Sequence, residues 1–328
     1  VIHQKARTQN VVAMLEGDHR ELREEIIVIG AHYDHLGMGG PGSGSRALDT
    51  IAVHYGADDN ASGVAGVIEL AEYLALADNQ PDRSIVFIAF GAEEMGLVGS
   101  KYFVENPPVN LDNVVAMINF DMIGRLKEDK SIAIGGTGTS EETEDILDQL
   151  KARTSLKLNY SKEGYGPSDH AAFYTAGIPV FFISTGAHSD YHTPMDRAEF
   201  LNATGQVEVL EFTAGLIGEL ASRDDRLAFK EAGPTSRSRS GYSFKVTLGI
   251  MPDFTGSSND GLRVDAVRPD GPAHRGGMKK GDRIVAMDGK PVENIYDYMG
   301  RLKQFESGQT ITVDVIRNGK KEVLLITL

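Results

Sequence analysis

The chain has 328 residues, 47 acidic against 33 basic side chains for a formal net charge of −14, and 41% hydrophobic content. That length suits two domains rather than one, and the apolar content excludes a globally disordered chain. The absence of cysteine excludes disulfides and thiolate metal sites, and no apolar run approaches the roughly 20 residues that cross a bilayer.

The charge is unevenly placed. From residue 241 onward 13 Lys and Arg face 11 Asp and Glu, a net of +2, which leaves 20 basic and 36 acidic residues before it, a net of −16. An acidic N-terminal part argues against nucleic acid and anionic membranes as partners and suits cations or substrates with a free amine. The chain opens Val1-Ile2-His3-Gln4, with neither an initiator methionine nor a signal peptide. Processing or trimming of an export signal or another domain is therefore expected.

In chain order, Val11–Leu15 and Ile26–Ala31 read as strands, the second apolar on both faces like the centre of a covered sheet. Residues 36–56 form a Gly-, Pro- and Ser-rich loop long enough to suggest function. It ends in Gly56-Ala57-Asp58-Asp59-Asn60-Ala61-Ser62-Gly63, where two carboxylates precede a helix over 62–77, with Asn60 or Ser62 placed to cap it. Ser84–Phe90 and Val114–Phe120 are further buried strands, Ile132–Ile134 a shorter one, and Ser140 caps a helix with Glu141 and Glu142 in its first turn. Pro179–Ser184 is another buried strand, followed by a helix over 204–221. This alternation predicts an α/β fold, a mostly parallel central sheet sandwiched by helices.

The expected domains are residues 1–225, a linker over 226–241 rich in Gly, Pro, Ser and Arg, and a small β-rich domain over 242–328. Its strands are Phe244–Ile250, Leu262–Val267, Arg283–Met287, Thr310–Ile316 and Glu322–Leu328, with a hairpin at Asn318-Gly319 and one helix near Tyr296–Phe305.

The residues just beyond each buried strand carry the chemistry. The strands deliver His32-Tyr33-Asp34, Glu93-Glu94, Asp121 and the run to Tyr191-His192, all at the carboxyl edge where α/β sheets bind ligands. Each alone reads as a core histidine, a cap or a solvated turn. Together, after separate buried strands, they read as a site, because unpaired buried charge is costly. Two imidazoles with several carboxylates and no thiolate suit two divalent ions of the zinc type. One carboxylate must bridge such a pair, a role open to Asp59, and one of the adjacent glutamates must stay off the metals to move a proton.

His32-x-Asp34, Gly56–Gly63, Glu93-Glu94-x-Gly96-Leu97-x-Gly99-Ser100, Asn119-Phe120-Asp121-Met122 and Tyr191-His192 together resemble the co-catalytic zinc aminopeptidases, a family that includes leucyl aminopeptidases and, more distantly, glutamate carboxypeptidase. The resemblance spans about residues 10 to 220 in the family's order. It implies two Zn²⁺, with Asp59 bridging, His32 and Asp121 completing one site, and Glu94 and His192 the other. It implies Glu93 as general base toward a water shared by the metals, Asp34 orienting His32, and Tyr191 helping to stabilise the tetrahedral oxyanion. It also implies a cis Asp59–Asn60 bond and an extracytoplasmic (periplasmic or secreted) location. Ser168-Asp169-His170 resembles a family segment and is assigned to structure. The expected substrates are peptide or protein N-termini.

The last domain resembles a PDZ module. Val246-Thr247-Leu248-Gly249-Ile250-Met251 looks like its carboxylate-binding loop and strand, with Leu248, Gly249, Ile250 and Met251 against a C-terminal peptide. The alternatives weighed are a carboxypeptidase, for which Arg125 is the only candidate carboxylate binder, a glutaminyl cyclase, and a catalytically silent protein that binds peptides through its PDZ module.

Overall fold

The computed structural model describes residues 7–40, 43–47, 50–233, 246–252, 260–268, 270–293, 295–302 and 304–328. The chain divides into two compact units.

In chain order the first unit comprises β1 (Val11–Leu15), β2 (Ile26–His32), α1 (Gly63–Leu74), β3 (Ser84–Phe90), α2 (Val98–Glu105), β4 (Val114–Phe120), β5 (Ser131–Gly135), α3 (Thr143–Lys151), β6 (Lys157–Tyr160), α4 (His170–Thr175), β7 (Val180–Ser184) and α5 (Ala203–Ser222). The sheet order is β1-β3-β2-β4-β7-β5-β6. β3, β2, β4 and β7 are mutually parallel, and β1 and β5 enter antiparallel. This is the mostly parallel, helix-covered sheet that the alternation of elements predicts.

The two-residue period of a strand explains the two covered faces. Ile27, Ile29 and Ala31 of β2 point into a core shared with Val67, Leu70 and Leu74 of α1 and Val209, Phe212 and Leu216 of α5. Ile26 and Val28 point the other way, into a core with Phe103 of α2 and Phe173 of α4. At such positions a large-to-alanine change costs about 2–5 kcal/mol. Arg83 is buried just before β3, donates to Glu25 at 2.7 Å, and reaches the carbonyls of Leu220, Ala221 and Arg223 at 2.6–3.2 Å. It thereby ties the sheet to the end of α5, where a cation opposes the helix dipole.

One open choice is decided and two local expectations change. Asn60, not Ser62, caps α1, accepting from the Gly63 N–H at 3.0 Å, because the Ser62 hydroxyl donates to Asp58 instead. The helix after Ser140 begins at Thr143, so its first-turn acids are Glu144 and Asp145, while Ser140 accepts from the Glu142 N–H. The part of the expected linker at 226–233 packs on the first unit: Leu227 is buried in its core, and the Lys230 N–H bonds to Thr139. Residues 234–241 of that linker lie outside the described residues.

The second unit contains β8 (Ile250–Pro252), β9 (Leu262–Val267), α6 (Pro272–Arg275), β10 (Arg283–Met287), β11 (Lys290–Pro291), α7 (Ile295–Leu302), β12 (Thr310–Arg317) and β13 (Lys320–Thr327). Its sheet is antiparallel in the order β13-β12-β10-β9-β8, with β11 on β10. The strand expected over Phe244–Ile250 starts only at Ile250; its first two residues lie outside the described ones. Among the described residues no helix is long and apolar enough to cross a membrane.

Candidate active site

Because β2, β3, β4 and β7 run parallel, their carboxyl ends share one edge of the sheet. β2 ends on His32, the turn after β3 carries Glu93 and Glu94, Asp121 directly follows β4, and the segment after β7 leads to Tyr191 and His192. Asp59 arrives from the loop before α1. His32, Asp59 and Asp121 offer ligand atoms within 4.8 Å of one another, and so do His35, Asp59 and Glu94. His192 joins the second group, its Nε2 3.1 Å from Asp59 Oδ2 and 3.4 Å from Glu94 Oε1. The other Asp59 oxygen lies 3.2 Å from His32 Nε2. The five expected ligand residues therefore converge, with Asp59 between the two groups.

The imidazoles are set by what their far nitrogens bond. His32 Nδ1 lies 3.0 Å from the Asp34 carbonyl, and His192 Nδ1 lies 3.1 Å from the Gly44 carbonyl. A carbonyl only accepts, so each Nδ1 keeps a proton for it, and each Nε2 faces the carboxylates as the nitrogen left to ligate a metal once its own proton is displaced. Imidazole and carboxylate donors without a thiolate fit divalent ions of the zinc type.

Asp34 meets His32 through its main chain. Its backbone carbonyl, not its carboxylate, orients His32; the carboxylate accepts from the N–H groups of Glu93 at 2.9 Å and Glu94 at 3.3 Å. It braces the glutamate turn. The sequence motif shows the pairing of His32 with Asp34 but not which oxygen serves it.

The Asp59 loop is held by groups from two other segments. The fully buried Asp196 carboxylate accepts from the N–H groups of Asp58 and Asp59 at 3.0–3.1 Å and from Arg125 at 3.1 Å. Arg125 also donates to Asp190 at 2.7 Å. Asn60 donates to the Phe120 carbonyl at 2.9 Å, locking this loop to the end of β4. The Asp59–Asn60 peptide bond is cis. Ala92, Met122 and His192 hold positive φ angles of 57–61°, one beside Glu93, one beside Asp121 and one at a ligand position. Non-glycine residues in that region concentrate at functional sites.

Electrostatics separates the carboxylates. Burial opposes charge on His32, yet the Asp121 and Asp59 carboxylates hold it well above the ordinary imidazole range. Against burial, Asp59 and Glu94 push His192 up to about 10. Asp59 is lowered despite its burial, by hydrogen bonds from His192 and His32. Glu93 goes the other way: burial, opposed by the charge on His32 but reinforced by Asp121, Asp169 and Glu94, pushes it up to about 9. Burial also raises Asp121, whereas, against burial, hydrogen bonds from His192 and its neighbours lower Asp59 and Glu94; Glu93 thus stands well apart from the lowered pair, the separation that marks an acid–base residue. Burial and then the Asp59, Glu94, Asp121 and Glu93 charges keep the Tyr191 hydroxyl protonated, with its ring stacked on His192 at 3.8 Å.

Ser168-Asp169-His170 lies behind this cluster. Asn119 donates to Ser168 at 2.8 Å, and Ser168 in turn bonds Asp121. One residue escapes sequence reasoning: His35, whose Nδ1 lies 3.0 Å from Glu94 Oε1 and 3.7 Å from Asp59 Oδ2. Its only signal in the chain is a further imidazole three positions after His32, on the same post-strand segment. In the second unit, Leu248 is buried and its carbonyl accepts from Ala273 at 2.8 Å, while Gly249, at a φ of +70°, accepts from Arg268 at 2.8 Å. Ile250 and Met251 open β8.

Residues 10–217 match the model of peptidase family M28, and residues 241–328 that of the PDZ domain. The chain is 38% identical over 153 residues to leupeptin-inactivating enzyme 1 of Streptomyces exfoliatus, a match covering 46% of this chain and 34% of that protein. It is 30% identical over 210 residues to leucine aminopeptidase 1 of Paracoccidioides brasiliensis, covering 60% of this chain and 52% of the relative. The chain therefore spans about half the length, or less, of these curated relatives. Among solved structures, an aminopeptidase from Aneurinibacillus sp. strain AM-1 superposes with a TM-score of 0.52 at 28% identity, over 68% of this chain and 50% of that one.

Proposed function

The chain belongs to peptidase family M28, and from that premise we propose that it is a zinc-dependent aminopeptidase removing residues from peptide N-termini. In this reading His32 and Asp121 would hold one zinc ion, Glu94 and His192 a second, and Asp59 would contribute to both. The observation that carries it is the meeting of these five side chains around Asp59, with both imidazoles turned by backbone carbonyls to present Nε2.

Bound zinc would supply Lewis acidity toward the scissile carbonyl and make water easier to deprotonate. The remaining work falls to the chain. Glu93, braced through its N–H by Asp34, takes the proton from the attacking water and passes it to the leaving amine. Its charged form would be favoured by positive charge bound at the neighbouring donors, which would lower its pKa from about 9. Tyr191 donates toward the developing oxyanion. The carboxylate-rich surroundings favour a substrate's free amine. Arg125, the residue weighed for a substrate carboxylate, is instead engaged by Asp190 and Asp196. The C-terminal unit is proposed to take a peptide C-terminus as an added strand on β8, with Leu248, Gly249, Ile250 and Met251 forming the carboxylate loop and strand.

The test is hydrolysis of an aminoacyl chromogenic substrate. Chelator should abolish it, Zn²⁺ should restore it, and N-blocking the substrate should prevent it. Glu93→Gln should lower kcat by about 10²–10⁴-fold while two zinc ions stay bound. Near wild-type turnover in that variant would remove Glu93 from the mechanism.

A further inference from the structure

His35 is the third imidazole at the cluster, and its hydrogen bonding differs from that of the other two. His32 and His192 each give their Nδ1 proton to a carbonyl and turn Nε2 inward. His35 turns Nδ1 inward, 3.0 Å from Glu94 Oε1, while its Nε2 is sealed from solvent with no hydrogen-bond partner among the described residues. A ligating Nδ1 would need its proton on Nε2, leaving a buried N–H unsatisfied, the rarer and costlier orphan. With the proton on Nδ1, the ring donates to Glu94 and the orphan is an acceptor.

The ring is also tightly seated. It lies edge-on to His192, with centroids 5.7 Å apart, and 6.4 Å from the ring of His54. Gly56, at a φ of +59°, passes so close that a Cβ there would sit 2.7 Å from His35 Cγ. The backbone of the Asp59 loop has been kept bare where the ring lies against it.

We propose that His35 is a positioning residue: its Nδ1–H clamps the Glu94 carboxylate against Asp59 and His192, holding a ligand of the second metal site without itself binding metal. This rests on the reading of Glu94 and His192 as ligands given above. The effect falls chiefly on the second ion, because His35 bonds Glu94 at 3.0 Å, stands off at 3.7 Å from the oxygen of the shared Asp59 that faces His192, and has no hydrogen bond or ion pair to His32 or Asp121 among those described.

The experiment is titration of the metal-stripped full chain with Co²⁺, tracking its visible absorption, and with Zn²⁺ by equilibrium dialysis. His35→Phe keeps a ring in the Gly56 cradle and removes the donor; His35→Asn places an amide N–H near the position of Nδ1. Circular dichroism of the stripped proteins checks folding, and His35→Leu replaces the Phe variant if that one fails to fold. The expected result is a second-ion affinity about tenfold or more weaker in His35→Phe, with first-ion affinity little changed. His35→Asn should recover most of the loss, with the cobalt bands of the second ion where they are in the wild type. If His35→Asn is as damaging as His35→Phe and its bands shift as they do in His192→Ala, His35 is a ligand and the proposal fails. If His35→Phe binds both ions like the wild type, the ring only fills space and the proposal fails as well. A Glu94→Ala variant that still binds two ions would overturn the underlying ligand assignment instead, which separates the two failures.

Discussion

The two halves of the metal-type cluster are built from different materials. The half around His32 and Asp121 stands on the ends of β2 and β4, paired neighbours in the middle of the sheet, and His32 takes its orientation from a carbonyl two residues away. The half around Glu94 and His192 hangs on loops: His192 depends on the Gly44 carbonyl, 148 positions distant, and Glu94 on a turn braced by Asp34. The two imidazoles differ in exposure in the same sense, 1% for His32 against 15% for His192, while Asp121 and Glu94 are alike at 16% and 12%. One half inherits the rigidity of a buried parallel sheet, and the other keeps the adjustability of loops, at the side where an incoming chain must be admitted and released.

The largest expected effect erases the comparison. Asp59→Ala removes the carboxylate common to both halves, so metal analysis should find neither ion and turnover should fall to background. A variant that keeps one ion would show that the halves are independent sites. Asp34→Ala comes next. It unbraces the N–H groups of Glu93 and Glu94 while leaving in place the carbonyl that orients His32. Activity should fall by about 10–100-fold with the first ion bound as before, whereas loss of the first ion would return Asp34 to an orienting role toward His32.

A smaller, selective effect is expected in the loop over residues 36–56. His54 donates from Nδ1 to the Ala52 carbonyl at 2.9 Å and accepts from the Ser45 hydroxyl at 2.7 Å, next to the Gly44 carbonyl that serves His192. His54→Ala should weaken binding of the loop-side ion by about tenfold and leave the strand-side ion untouched. Stepwise chelation of the wild type should likewise release the loop-side ion first. Equal weakening of both ions would deny the division.

The smallest effect concerns the buried backing of the strand side. Burial lowers His170 to about 3 and, foremost among its causes, raises Asp169 to about 7. His170 destabilises the fold as pH falls below its unfolded value near 6.5, whereas Asp169 destabilises it as pH rises from its unfolded value near 4 through 7. Between those two unfolded values the folded pair holds one proton on Asp169, and the unfolded pair holds one on His170. The slopes cancel. In metal-free Asp169→Asn only the His170 linkage is left, so stability should gain a slope of about 1.4 kcal/mol per pH unit relative to the wild type, rising with pH between 4.5 and 6. Urea unfolding monitored by circular dichroism at several pH values measures it; parallel profiles for the two proteins would refute the pairing.

Much of this is legible in the chain. Doubly apolar runs such as Ile26–Ala31 and Ser84–Phe90 announce central strands, and the residues just past a central strand sit at the ligand edge, so His32, Glu93, Glu94 and Asp121 can be placed together. Shorter elements are not legible: β6 has four residues, and α4 is a single buried turn and a half whose apolar residues show no one-sided period. Nor is the wiring between segments far apart in sequence. Nothing local reveals that Gly44 serves His192 or that Asp196 serves Asp59, because those bonds depend on loop paths fixed by the folded sheet. His35 is hidden for a related reason, since its neighbour His32 already fills the role that an imidazole after β2 is expected to play.

Asp196 turns these separate loops into one inheritable piece. Its carboxylate is spoken for by the amides of Asp58 and Asp59 and by Arg125, and it lies four positions beyond His192. Anyone transplanting this centre to another scaffold would have to carry the arginine and this aspartate along with the five donors, or the graft would arrive with its keystone missing.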